Sequence, residues 1–199
     1  MKSYKIAFLN SKGGVGKSTL CILSALGLSQ TRFKGKIKLI DTMAHPPRQL
    51  VNCIMQCDAI LVPCNLSEIE ILATIDFVKT LDSLKKLQGD GKPHLVIMPN
   101  RVPPKQVHIC QLTDSLSDID VIIGPTISDI ALLKNDLINL PRKSSNLPAK
   151  FRSQFSGFRD FIYKALVKRE IDRLIYQEEP EKLLDENSVE NVIPLSNKL

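Results

Sequence analysis

Residues Lys12-Gly13-Gly14-Val15-Gly16-Lys17-Ser18-Thr19 limit what this chain can fold into more than any other stretch. Gly13, Gly14 and Gly16 lack Cβ atoms and tolerate positive φ, so the backbone can close around an anion with its N–H groups turned inward. Lys17 supplies a full positive charge, and the Ser18 hydroxyl is placed to reach a Mg²⁺ ion. The apolar run Lys5–Asn10 in front of the loop reads as a buried parallel strand. The run Ser18–Gln30 behind it is apolar nearly all round and reads as a buried helix, whose positive end faces the loop. Strand, loop and helix in this order imply a cradle for a phosphate chain. Gly13, Gly14, Val15, Gly16, Lys17, Ser18 and Thr19 are its candidate binding residues. A glycine-rich turn with no ligand would explain neither the two lysines nor the paired hydroxyls.

The rest of the chain repeats the alternation. Strands are expected at 36–41, 59–63, 94–98 and 120–123, and helices at 48–57, 67–87, 105–116, 128–140 and 148–177. Ser67 with Glu70 three residues on has the pattern of a capping box. The strands are apolar throughout rather than alternating. That predicts an α/β fold, a doubly wound and mostly parallel sheet with helices on both faces. In such sheets the ligand sits at the carboxyl ends of the strands. The glycine loop, Asp41 and Asn100 all fall at such ends. One domain is expected over 1–177, followed by an acidic, mobile tail at 178–199.

The net charge of +6 is unevenly spread. Between Lys134 and Arg173 there are ten Lys/Arg against four acids, whereas from Leu174 onward there are six acids and two lysines. Arg142, Lys143, Lys150, Arg152, Arg159, Lys168 and Arg169 are candidates for contacting a polyanion, the alternative being a solvated helix face. Phe151, Phe155, Phe158, Phe161 and Tyr163 lie among them at helical spacing, which reads as a buried face rather than a base-stacking surface. The five cysteines form no CxxC pair and read as free thiols. Cys53, Cys57 and Cys64 lie close enough in sequence to raise a metal site, but small buried hydrophobes fit them better. No apolar run approaches a membrane span, and the first residues are too few and too polar for a signal peptide, so a cytoplasmic protein is expected.

Ser11 stands where a plain Walker loop has its first glycine, and Lys12 is an added lysine. With this pattern, K-G-G-x-G-K-[ST], the sequence resembles the ParA/MinD family of deviant Walker A ATPases, and within it the short plasmid or chromosome partition ParA proteins. The likeness continues in Asp41-Thr42-Met43-Ala44-His45-Pro46-Pro47, similar to the family's switch II segment. It continues further in Asp58–Cys64, in Pro99-Asn100-Arg101, and from Ile123-Gly124-Pro125-Thr126-Ile127 through Leu140-Pro141. The resemblance implies ATP and Mg²⁺ as cofactors, with Lys12, Lys17 and Asp41 catalytic, Ser18 and Asp41 holding the metal, and Asn100 and Arg101 at the adenine. It further implies an ATP-bound homodimer in which Lys12 reaches the partner's nucleotide. Non-specific DNA binding, a ParB-like centromere-binding partner and a role in DNA segregation on the nucleoid follow from the same resemblance.

One departure stands out. Family members have two aspartate-bearing strand ends after the loop, and this chain has room for only one, at Asp41. Asp41 is then the Walker B/switch II aspartate, one strand–helix unit is missing, and hydrolysis is expected to be slow because the water lacks its usual partner. His45, Asp58 and Glu68 are possible substitutes. The competing readings are an ATP-binding regulator without turnover and a MinD-like positioning ATPase. The acidic tail argues against the second, which needs a basic amphipathic helix. An iron–sulfur carrier finds no support in the cysteine spacing.

Overall fold

The run Ser3–Phe8 forms strand β1 in the interior of a parallel sheet, and its neighbours follow from the alternation in the sequence. The computed structural model describes residues 3–29, 31, 35–89, 91–102, 109–128 and 149–168. After β1 come α1 (Lys17–Ser29), β2 (Lys36–Asp41), α2 (Arg48–Met55), β3 (Ala59–Cys64) and α3 (Glu68–Gln88). Then come β4 (His94–Val102), α4 (Ile109–Ser115), β5 (Val121–Ile123), β6 (Ile127–Ser128) and α5 (Ala149–Phe161), which widens into a π-helix over Ile162–Lys168. The strands lie in the order β2-β1-β3-β4-β5, all parallel, and β6 joins the far end of β4.

Alternate residues of the strands feed two cores, as the period of two requires. Ile6, Phe8, Leu61, Val96 and Met98 pack with Leu20 and Leu23 of α1 and with Phe155 and Phe158 of α5. Ala7, Ile60, Val62, Leu95 and Ile97 pack on the other face, with Ile54 of α2, Ile71, Ile75 and Val78 of α3, and Leu112 of α4. Covered on both sides, β3 is buried at every residue, which is why its sequence reads AILVPC without polar alternation. Phe158, at 2 % exposure, sits against α1 and the central strands. Phe158→Ala is therefore expected to cost about 3–5 kcal/mol in unfolding by denaturant, the usual range for emptying an aromatic site in a core.

The chain leaves β1 to form β2 on one side and returns to form β3 on the other. This change of winding direction opens a crevice at the carboxyl end of β1, where the glycine loop lies. β2 is hydrogen-bonded directly to β1 with Phe8 opposite Asp41, so Asp41 emerges one strand from the loop.

Several expectations need adjustment. α1 starts at Lys17, one residue early, and β4 runs on to Val102. The extension lets Asn100 and Val102 pair with Ile127 and Ser128, a short strand that no periodicity announced. Ser128 thus belongs to a strand rather than to the helix expected at 128–140, whose other residues lie outside the described ones. Of the helix expected at 148–177, residues 149–168 are described and are helical. At the start of α3 the Ser67 hydroxyl bonds the Glu70 carboxylate at 3.2 Å, so the pair does not close a capping box through the backbone. Phe155 and Phe158 are buried, and Phe161 and Tyr163 pack half-buried against the same core, as the helical spacing implied. The boundary at 177 and the tail at 178–199 lie outside the described residues.

Candidate nucleotide site

The loop between β1 and α1 is fastened from three directions. Asn10, buried at the end of β1, donates from Nδ2 to the Pro63 carbonyl at 2.7 Å, and its Oδ1 accepts the Lys12 N–H at 2.9 Å. From α1, Lys17 Nζ donates to the Lys12 carbonyl at 2.7 Å. From β4, Asn100 Nδ2 donates to the Val15 carbonyl at 2.8 Å, and Arg101 Nη1 donates to the Gly14 carbonyl at 2.7 Å. Gly14 and Gly16 take the positive φ values of 74° and 100° that the turn demands. Gly16 also lies so close to the Asn100 amide that a Cβ there would collide with it.

The electrostatics centre on Lys17. Burial lowers its pKa, and the neighbouring Asp41 carboxylate opposes the shift. Asp41 also acts on Cys21, one turn into α1, whose thiol is pushed up to about 11 by burial first and by that carboxylate second. Asp41 therefore lies on the α1 side of the sheet, close to the start of the helix. Thr42, buried, donates its hydroxyl to the Phe8 carbonyl at 2.6 Å, which fixes the chain immediately after Asp41. Ser18 stays exposed in the first turn of α1, and Thr19 is partly exposed. Among the described residues, no three or more of His, Cys, Asp and Glu gather into a metal site. The Ser18 hydroxyl in the first turn of α1 and the Asp41 carboxylate at the end of β2 are oxygen donors of the kind Mg²⁺ takes. Cys57 and Cys64 are buried free thiols; burial pushes Cys57 up to about 11 and raises Cys64. These thiols behave as small hydrophobes.

The sequence-predicted residues converge. Lys12 through Thr19 form one loop and the first helical turn, Asp41 ends the adjacent strand, and Asn100 and Arg101 reach the loop from β4. Asn100 and Arg101 touch the loop's carbonyls, a contact the sequence did not reveal. Asn10, a polar residue closing an apolar run, is the sequence signal for this fastening. Asp58 is removed from the site: at the amino end of β3 it accepts the Lys5 N–H at 2.8 Å and the Lys92 ammonium at 2.6 Å. His45 and Glu68 stay exposed, His45 with a φ of 53° ahead of Pro46.

A parallel sheet that opens at its switch point onto a two-lysine glycine loop defines a P-loop nucleotide-binding fold. The solved structures it resembles narrow this to the ParA/MinD type. McdA from Cyanothece, in an ATP complex, superposes with a TM-score of 0.64 at 13 % identity over 82 % of this chain and 96 % of that one. MinD from Pyrococcus horikoshii, in a Mg-ADP complex, gives 0.56 at 12 % identity over 82 % and 97 %. A protein described as a plasmid partition protein of Borrelia burgdorferi, bound to AMPPNP, gives 0.58 at 13 % identity over 82 % and 100 %. No protein-family model and no curated protein sequence matches the chain. The chain thus has the ParA/MinD-type fold. No helix among the described residues is long and apolar enough to cross a membrane.

Proposed function

We propose that this chain is a ParA-like ATPase that dimerises around ATP, binds DNA non-specifically in that state, and serves the partitioning of plasmid or chromosomal DNA. The observation that carries the reading is the division of labour between the two lysines. Lys17 is buried and turned onto the loop. At Lys12 the backbone is held on both sides, by Asn10 and by Lys17, while the side chain is only partly covered. A partly exposed cation on a backbone fixed in this way can act on a nucleotide held by a facing copy. It stabilises phosphate charge only when the two copies meet. The McdA, MinD and Borrelia complexes with ATP, Mg-ADP and AMPPNP support nucleotide as the ligand.

In this reading Gly13 to Thr19 bind the phosphates through N–H and hydroxyl groups, Lys17 neutralises them, and Asp41 with Ser18 holds Mg²⁺. When bound, the metal supplies charge neutralisation along the phosphate chain. Hydrolysis is slow because Asp58 faces the wrong end of the sheet and Asp41 is committed to the metal. Of the basic residues proposed for DNA, Arg152 is exposed on α5. Arg159 is turned inward: its stem lies on Gly27 and its guanidinium bonds Asp160 and Ser156. Arg142, Lys143 and Arg169 lie outside the described residues, as do the side chains of Lys150 and Lys168. A cytoplasmic, nucleoid-associated location and a ParB-like release partner belong to the same proposal.

Sedimentation of the protein with ADP, ATP or a non-hydrolysable analogue, with and without DNA, tests it. The expected result is a dimer with ATP or the analogue that co-sediments with DNA, and a Lys12→Ala variant that binds ATP but stays monomeric. A wild type that is monomeric under every condition would sink the reading. The alternative, an ATP-binding regulator without turnover, is favoured by the single strand-end aspartate near Lys17, and a single-turnover hydrolysis assay separates the two.

A further inference from the structure

The resemblance sent Asn100 and Arg101 to the adenine, but the geometry points elsewhere. We infer that Asn100 and Arg101 are positioning residues that orient the glycine loop's peptide groups for the phosphate chain, Arg101 being the part of the device that can be removed without disturbing the core. The inference rests on the nucleotide-binding reading above.

The planarity of the peptide bond couples each carbonyl to the N–H that follows it. In a trans peptide, the carbonyl of one residue and the N–H of the next point in opposite directions. Fixing a carbonyl therefore aims the following N–H. Arg101 holds the Gly14 carbonyl and Asn100 the Val15 carbonyl. The peptides so fixed carry the N–H groups of Val15 and Gly16. An anion cradle needs several such N–H groups converging on one point. In a loop of glycines those peptides would otherwise rotate freely, and a phosphate would have to freeze them on binding. Side chains that already hold the loop's carbonyls remove that cost beforehand, which is the general route by which preorganisation raises affinity.

The two donors are built differently. Asn100 is 2 % exposed and packs under Gly16, so it is part of the interior. Arg101 is exposed and sits at a φ of 55°, a left-handed conformation that a non-glycine residue rarely takes. That turn swings its guanidinium back across the loop. β4 carries a register irregularity at this point, where its pairing with β6 begins. The loop's shape is thus set by a strand that leaves the sheet's regular ladder to reach it.

The test uses two probes on the full chain: ATP and inorganic tripolyphosphate, which has the phosphates without the base. Affinities are measured by calorimetry for wild type, Arg101→Met and Arg101→Lys, with Asn100→Asp as a second site that replaces the amide donor by an acceptor. Thermal melts confirm that each variant is folded. Arg101→Met is expected to weaken ATP and tripolyphosphate alike, by about tenfold each, the scale of one charge-assisted hydrogen bond. Arg101→Lys, which keeps a donor, recovers most of that loss, and Asn100→Asp weakens both ligands. If Arg101→Met weakens ATP but leaves tripolyphosphate unchanged, the residue acts on the base and the inference is overturned. Variants that match wild type for both ligands overturn it too. A wild type that binds neither probe overturns the nucleotide reading itself, a distinct outcome.

Discussion

Gly16→Ala is expected to abolish ATP binding and to lower the melting temperature, whereas Gly13→Ala leaves the melting temperature close to wild type. Gly16 has a φ of 100°, which costs an L side chain about 1–3 kcal/mol wherever it is forced. A Cβ at this position would also strike the Asn100 amide, which is buried and cannot retreat into solvent. Either the loop opens or Asn100 gives up the Val15 carbonyl. Both outcomes spoil the cradle. ATP affinity should drop by at least ~100-fold, two factors of ten at about 1.4 kcal/mol each, matching the strain and the lost hydrogen bond together. The same strain should lower the melting temperature by several degrees, at roughly 2–4 °C per kcal/mol for a chain of this size. At Gly13 a Cβ meets nothing within 4 Å. Titration with a fluorescent ATP analogue and thermal melts of both variants check the contrast; wild-type affinity in Gly16→Ala would refute the loop geometry described above.

Asp41→Asn should leave the fold intact and reduce Mg²⁺-dependent hydrolysis by roughly 10²–10³-fold, the scale for losing one preorganised electrostatic partner in a site. Asp41 is exposed, so the amide can replace it without burying an unpaired group. A second effect separates this from a simple structural lesion. Burial lowers the pKa of Lys17, and the Asp41 carboxylate holds it up. Removing that carboxylate lowers the Lys17 pKa further. Phosphate binding needs the charged ammonium, so ATP affinity is present below this pKa and is lost as pH rises through it. The alkaline loss should begin at lower pH in Asp41→Asn than in wild type. Affinity measured across alkaline pH reads the shift, and superimposable profiles would remove Asp41 from the neighbourhood of Lys17.

The order of strands and helices, the glycine loop and its lysines were legible because they are local. A glycine, a lysine and a hydroxyl at fixed spacing meet through a single turn, and period and apolar runs announce the elements on either side. Asp41 was legible for the same reason, as the last residue of a strand. The bracing of the loop was not. Asn100 and Val15 stand 85 residues apart, and only the parallel register of β1, β3 and β4 brings them together. The family pattern pointed to Asn100 and Arg101 without announcing their contacts with the loop carbonyls. β6 was invisible because two residues have no period; their strand character comes from the overrun of β4 beside them. The misplaced role considered for Asp58 has the same origin. Sequence shows a carboxylate beside a strand but not which end of the sheet it faces.

The position of β2 carries one more consequence. Among the described residues it is the last strand on its side of the sheet. An unpaired margin of this kind is a template on which another chain can add itself, the first step of ordered aggregation. β2 also carries lysines at alternate exposed positions, Lys36 and Lys38, whereas β3 at the middle of the sheet is apolar and buried throughout. Two copies meeting margin to margin would bring like charges together. An open margin thus brings a solubility problem, and this strand's composition answers it.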